Sequence, residues 1–196
     1  MADRFVMHLI RHLPTAGNEQ RRYIGWTDEP VLESTELRPS LSPAQFVYGS
    51  DLLRARQSAA LYFPGATFVA DSRWRECNFG AFEGKTYADL EKDKDYRRWL
   101  DDPEVNHPPR GESLIEVKTR VLAVLKQMPN NAVVVTHGGP IRVILTTFTP
   151  EKVTFWSWKV PHGAGYRLEW ESEKAFKEGK SCTSISAVPT TANGIM

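Results

Sequence analysis

At 196 residues, 41% apolar and 25% charged, the chain has the size and composition of one folded domain over residues 1–196, which excludes a disordered polypeptide. Its 25 Lys and Arg offset 24 Asp and Glu to leave a net charge of +1. No general basic field marks a nucleic-acid binder, so any anion must be gripped by a few placed cations. Cys77 and Cys182 stand far apart in no metal-ligand spacing, and no apolar run is long enough for a signal-peptide core or a membrane span; reduced thiols and a cytoplasmic location are expected.

The first predicted element is a buried strand over residues 5–10, a short apolar run that ends at a polar cluster. Residues 32–43 carry two prolines and no sustained periodicity. Further strands are predicted at residues 46–49 and 67–70, separated by a helix over residues 54–63 that Pro64-Gly65 closes. The clearest helix begins at Ser113, where Ser113 and Glu116 fit a capping box. Leu114, Val117, Val121, Val124, Leu125 and Met128 then recur on one face. Residues 132–136 read as a strand buried on both sides, and Gly139-Pro140 as the start of the next helix, with Pro at its first position. Residues 166–170 form a late strand, expected at an edge. From Glu171 onward the chain is polar, and its end reads as a tail of uncertain order. Strands alternating with helices predict an α/β fold with a mostly parallel sheet.

Titratable groups collect at the predicted carboxyl ends of strands, where parallel sheets bind ligands. These are Arg11-His12 with Thr15 and Asn18, Arg54 after the second strand, Glu76 after the third, and His137-Gly138 after the fourth. Singly, each has an ordinary structural role: a loop histidine, a surface cation, a solvated acid. Together they suit phosphoryl transfer. Arginine offers a planar fork to phosphate oxygens, a neutral imidazole can carry the phosphoryl group, and a carboxylic acid can protonate the leaving alkoxide. No metal or other cofactor is needed.

These residues resemble the histidine phosphatase superfamily, which includes cofactor-dependent phosphoglycerate mutase. Its opening Arg-His-Gly, then Thr and Asn, is met by Arg11-His12-Leu13-Pro14-Thr15-Ala16-Gly17-Asn18. The block Ser-x-Leu-x-Arg-Ala-x-x-Thr-Ala is met by residues 50–59, with Ser58 in place of the threonine. Glu-x-x-Phe-Gly-x-Phe-Glu-Gly is met by residues 76–84, and Gly111-Glu112-Ser113 and His137-Gly138-Gly139 complete the set. The resemblance implies a three-layer sandwich around the sheet, His12 as phosphorylated nucleophile and Glu76 as proton donor. It implies that Arg11, Arg54 and His137 clamp the phosphate, with Asn18, Thr15 and the Gly138 amide contributing.

Two departures stand out. Leu13 replaces the glycine beside the nucleophile and is expected to narrow the pocket or shift the backbone. Residues 31–46 are shorter than usual and lack a helix, which should thin one flank of the sheet or leave it to a partner subunit. Phe155, Trp156 and Trp158 are the candidate contact of a homodimer. The mutases carry an insertion over the site, for which only residues 89–105 offer room, and these read equally well as an amphipathic solvated helix. A phosphatase acting on small phosphorylated metabolites is therefore preferred, with no nucleic acid or membrane partner. A mutase-type phosphotransferase and a weakly active phosphate-binding relative are the alternatives.

Overall fold

The computed structural model describes residues 4–32, 37–39, 41–188 and 190–192. In chain order the strands are β1 (Phe5–Arg11), β2 (Leu37–Pro39), β3 (Phe46–Gly49), β4 (Thr67–Ala70), β5 (Ala132–Thr136), β6 (Gly165–Trp170), β7 (Ser184–Val188) and β8 (Thr190–Ala192). The helices are α1 (Ala16–Glu19), α2 (Leu53–Tyr62), α3 (Tyr87–Leu90), α4 (Lys94–Asp101), α5 (Leu114–Leu125), α6 (Gly138–Phe148) and α7 (Glu173–Lys177).

Six strands form one sheet in the order β4-β3-β5-β1-β6-β7, while β2 and β8 pair separately. The first four of that order run parallel, and β6 and β7 join antiparallel. Strand β5 is buried at all five positions, as a central parallel strand covered on both faces must be. Its alternation divides the apolar side chains between two cores. Ala132 and Val134 pack with Met7, Leu9 and the inner faces of α5 and α6. Val133 and Val135 pack with Ile10, Val47 and Ala55 and Ala59 of α2. Helices thus cover both faces of the sheet, giving the expected three layers.

Helix α5 starts as its sequence dictates. Ser113 accepts the Glu116 amide on its hydroxyl, and the Glu116 carboxylate accepts the Ser113 amide at 2.7 Å. Val117, Val121, Val124 and Leu125 are buried on one face, each contributing about 1.5–3 kcal/mol relative to exposure.

Two expectations need correction. Helix α6 begins at Gly138 with His137 as its cap, so Pro140 occupies the third position and not the first. Strand β6 is not an edge, because β7 pairs along its outer side. Within the polar stretch after Glu171, α7 packs Phe176 on Phe5, β7 pairs with β6, and β8 pairs with β2. Residues 193–196, the end of that stretch, lie outside the described residues, as do 33–36 and 40 within the short segment 31–46. The described residues of that segment hold no helix. A cleft of about 570 Å³, lined by His8, Phe46, Tyr48 and Asn130 among others, lies on this flank. Among the described residues no helix is long and apolar enough to cross a membrane.

Candidate active site

The parallel strands bring their carboxyl ends to one level: Arg11 lies opposite Thr136 and Gly49 opposite Val135. The segments that follow these strands therefore open onto a common space. His12 leaves β1, Arg54 sits in the first turn of α2, and His137 joins β5 to α6. Glu76 follows the short turn Ser72–Trp74.

His12 is almost wholly buried, and its ring is oriented by the main chain. Nδ1 lies 2.5 Å from the Leu13 carbonyl, which can only accept, so Nδ1 carries the proton and Nε2 keeps its lone pair. The imidazole is held neutral. Burial pushes its pKa well below 6.5, and the Arg54 and Arg11 guanidiniums reinforce the shift. The His137 ring centroid stands 4.9 Å away and the His162 centroid 5.0 Å away.

Leu13 does not narrow this space, contrary to expectation. Its side chain is 1% exposed and packs into the core beneath α2 with Ile10, Val47 and Ala55. Its amide donates to Ser58 Oγ at 2.8 Å, and Ser58 donates in turn to the Arg54 carbonyl. A backbone running in this direction aims the carbonyl at His12, and the side chain goes the other way.

The cations are fixed by carbonyl groups and not by carboxylates. Arg54, fully buried, donates to the Gly25 carbonyl at 2.6 Å and the Thr27 carbonyl at 2.8 Å. Arg11 donates to the Val160 carbonyl at 2.6 Å. Burial lowers the pKa of both, that of Arg11 to about 10, and the charge of Glu76 opposes the fall, so both stay cationic near neutrality. Nε of each arginine, and both ring nitrogens of His137, are buried without a hydrogen-bond partner within the protein. Such nitrogens are expensive to leave unpaired, and a phosphate group supplies acceptors for the two arginine Nε groups and for the His137 nitrogen that carries the proton.

Glu76 lies at the start of α6. Its carboxylate accepts the Gly139 amide at 3.0 Å and the Cys77 amide at 2.9 Å. A Cβ at Gly139 would stand 2.1 Å from Glu76 Oε1, so any other residue there would displace the Glu76 carboxylate. Gly138 precedes it, and its amide belongs to the unpaired set at a helix start, where negative charge is favoured. Asn18 shares a capping box with Thr15, whose amide donates to Asn18 Oδ1 at 3.2 Å. Thr15 is fully buried, and its hydroxyl is committed to Glu29 and the Asn18 amide, which makes it a support of this loop.

Sequence reasoning missed four residues. His162 approaches His12 from the loop before β6, with Nδ1 3.2 Å from the His12 carbonyl; burial and Arg11 lower its pKa to about 4. The Glu83 carboxylate accepts the Gly25, Trp26 and Thr27 amides, and so shapes the turn whose carbonyls hold Arg54. Arg120 ties the Arg73, Arg75 and Glu76 carbonyls to the Glu112 carboxylate, fixing the segment that presents Glu76. Glu83 and Glu112 fall in the quoted blocks, so their position was visible while their task was not. His162, in Pro-His-Gly, carries no such signal. Among the described residues no group of three or more His, Cys, Asp or Glu is arranged to hold a metal ion.

The sequence pattern of branch 1 of the histidine phosphatase superfamily matches residues 7–179. The chain belongs to this superfamily. It is 28% identical over 186 residues to a Hydrogenobacter thermophilus protein named "Putative phosphoserine phosphatase 2", covering 86% of this chain and 91% of that one. It is 30% identical over 157 residues to the Escherichia coli "Probable phosphoglycerate mutase GpmB", covering 72% and 73%. The crystal structure of an Escherichia coli "putative alpha-ribazole-5'-P phosphatase" superposes with a TM-score of 0.78 over the whole of both chains; at 21% identity this likeness speaks for the fold.

Proposed function

We propose that the protein hydrolyses phosphomonoesters of small metabolites through a phosphohistidine at His12, without a metal ion. One observation carries the reading: a buried, neutral imidazole, its Nδ1 tied to a carbonyl, faces two arginines whose Nε groups, and a histidine whose ring nitrogens, have no partner within the protein.

In the first step Nε2 of His12 attacks phosphorus and the ester P–O bond breaks. Glu76, in its protonated form, gives its proton to the departing alkoxide, so the alcohol leaves neutral. Arg11, Arg54, His137 and the Gly138 amide stabilise charge on the three non-bridging oxygens, already oriented before reaction. Asn18 Nδ2, unused by the capping box, offers a further donor. In the second step Glu76, now a carboxylate, takes a proton from water as that water attacks phosphorus. The N–P bond breaks, and inorganic phosphate and neutral His12 are restored.

The test is hydrolysis of p-nitrophenyl phosphate between pH 5 and 8 with EDTA present, together with a rapid acid-free quench to look for phosphoenzyme. Wild type should turn over and form a base-stable, acid-labile phosphoprotein, and His12→Ala should lose about 10⁴-fold or more in rate. Full turnover in His12→Ala, or activity abolished by EDTA and restored by a divalent cation, would overturn the mechanism.

A further inference from the structure

The groups around His12 account for the phosphate and leave the rest of the substrate unplaced. Directly beside Glu76 lies a cavity of about 70 Å³, with walls that include Phe79, Trp99, Arg142, Phe155 and Trp156. Five separate segments build it: the loop around Glu76, helix α4, the start of helix α5, helix α6 and the turn Phe155–Ser157. The Phe155 and Trp156 rings meet edge to face at 4.7 Å, and those of Phe79 and Trp99 at 6.0 Å. Trp156 is 61% exposed, a large apolar surface at the rim of an otherwise polar site. A second cavity, about 110 Å³, shares Leu114 and Phe155 as walls and extends to Lys118 and Thr146. The Thr146 hydroxyl is buried without a partner within the protein.

We infer that this cavity receives the leaving group, and that it selects phosphomonoesters whose alcohol carries a flat aromatic ring one or two atoms from the ester oxygen. The inference rests on the phosphohistidine reading. A proton donor must lie within hydrogen-bond reach of the oxygen it protonates. The atoms just beyond the ester oxygen therefore enter space that Glu76 itself borders. Aromatic rings dominate the walls there, and Glu76 is the one carboxylate among the lining residues. A ring sheds water onto these walls and gains edge-to-face contacts. A polyol would give up hydrogen bonds to water with few in return. The Arg142 guanidinium, anchored by Nε on the Trp158 carbonyl at 3.1 Å, adds a cation to set against a ring face. A longer leaving group would pass Leu114 and Phe155 and present a polar end to Thr146 and Lys118.

The comparison that isolates this preference is kcat/KM for benzyl phosphate against ethyl phosphate. Both are primary alkyl esters with alcohols of similar acidity, so the ratio reads binding of the ring and not the ease of bond cleavage. Wild type should favour benzyl phosphate at least tenfold, and Trp156→Ala should cut that ratio at least fivefold. The exposure of Trp156 makes the variant safe for folding. Equal efficiency on the two esters in wild type, or a ratio that survives both Trp156→Ala and Phe155→Ala, overturns the assignment. Turnover of neither ester counts against the phosphatase reading instead. In that event calorimetric binding of benzylphosphonate and ethylphosphonate tests the cavity alone: equal affinities overturn it, and tighter benzylphosphonate supports it.

Discussion

On one side of Glu76 stand groups whose positions are set by main-chain atoms. The Leu13 carbonyl orients His12, the Gly25 and Thr27 carbonyls hold Arg54, and the Val160 carbonyl holds Arg11. On the other side stand aromatic side chains, set by packing alone and partly open to solvent. Main-chain anchors tolerate many sequences but only one geometry, and side-chain walls can change without disturbing the backbone. On the proposed reading the chemistry of phosphate transfer resides in the first region, and the choice of alcohol in the second.

Glu76 joins the two regions, so its replacement should divide them most sharply. Glu76→Gln keeps the shape and loses the proton. For an alkyl phosphate, whose alkoxide needs that proton, kcat/KM should fall about 10²–10⁴-fold, whereas p-nitrophenyl phosphate, with its stable leaving anion, should lose roughly tenfold or less. Equal losses on the two substrates would show that Glu76 orients the site and delivers no proton. Next in size is Arg54→Ala, which removes a cation and its unpaired Nε donor from the cradle and orphans the Gly25 and Thr27 carbonyls. Phosphate binding and kcat should both fall, by about 10²–10³ in kcat/KM, and stability by about 1–3 kcal/mol. Steady-state kinetics and urea melts read the two effects separately, and an unchanged rate would remove Arg54 from the cradle.

Much of the first region was legible because its signals are local. Apolar runs marked the four parallel strands, and the capping box at Ser113 needed only residues three apart. His12 and His137 sit one position beyond β1 and β5, and Arg54 and Glu76 five and six positions beyond β3 and β4, in the segments to which chain order points. What escaped notice depends on contacts between distant segments. Glu83 acts on a turn 56–58 residues away in sequence. Strand β7, in which two serines interrupt three apolar residues, is mostly exposed, so main-chain pairing to β6 and not a buried apolar run makes it a strand. That hidden partner also turned β6 from an expected edge into an inner strand. Leu13 misled for a related reason, since a sequence names a side chain without giving its direction.

The histidines give a subtler handle on the first region. In the unfolded chain each imidazole titrates near 6.5, whereas in the fold burial and Arg11 hold His162 at about 4 and His12 and His137 lie well below 6.5. Between those values the unfolded chain binds protons that the folded protein refuses. Stability contributed by these sites is therefore whole above pH 6.5 and lost as pH falls toward the folded values. At pH 5.5 His162 alone should cost about 1 kcal/mol. Urea melts at pH 7.5 and 5.5 should show this loss shrinking in His162→Gln, and inorganic phosphate should stabilise the protein at both pH values. A pH dependence untouched by His162→Gln would refute the contribution assigned to that ring.

Leu13 is where the main chain serves catalysis and the side chain serves the core, and it offers the smallest expected effect on rate. The carbonyl that orients His12 and the amide that meets Ser58 belong to any residue but proline. The side chain, packed among Ile10, Val47, Ala55 and Ala59, contributes only to the core beneath α2. Leu13→Ala should therefore lower stability by about 2–5 kcal/mol, as expected for a buried leucine that leaves a cavity, while kcat/KM on p-nitrophenyl phosphate stays within roughly threefold at temperatures where the variant is folded. A large rate loss in a stably folded Leu13→Ala would mean that packing beneath α2, and not the carbonyl alone, holds the nucleophile in place. The division between a backbone-built cradle and a side-chain-built pocket would then fail at its central residue.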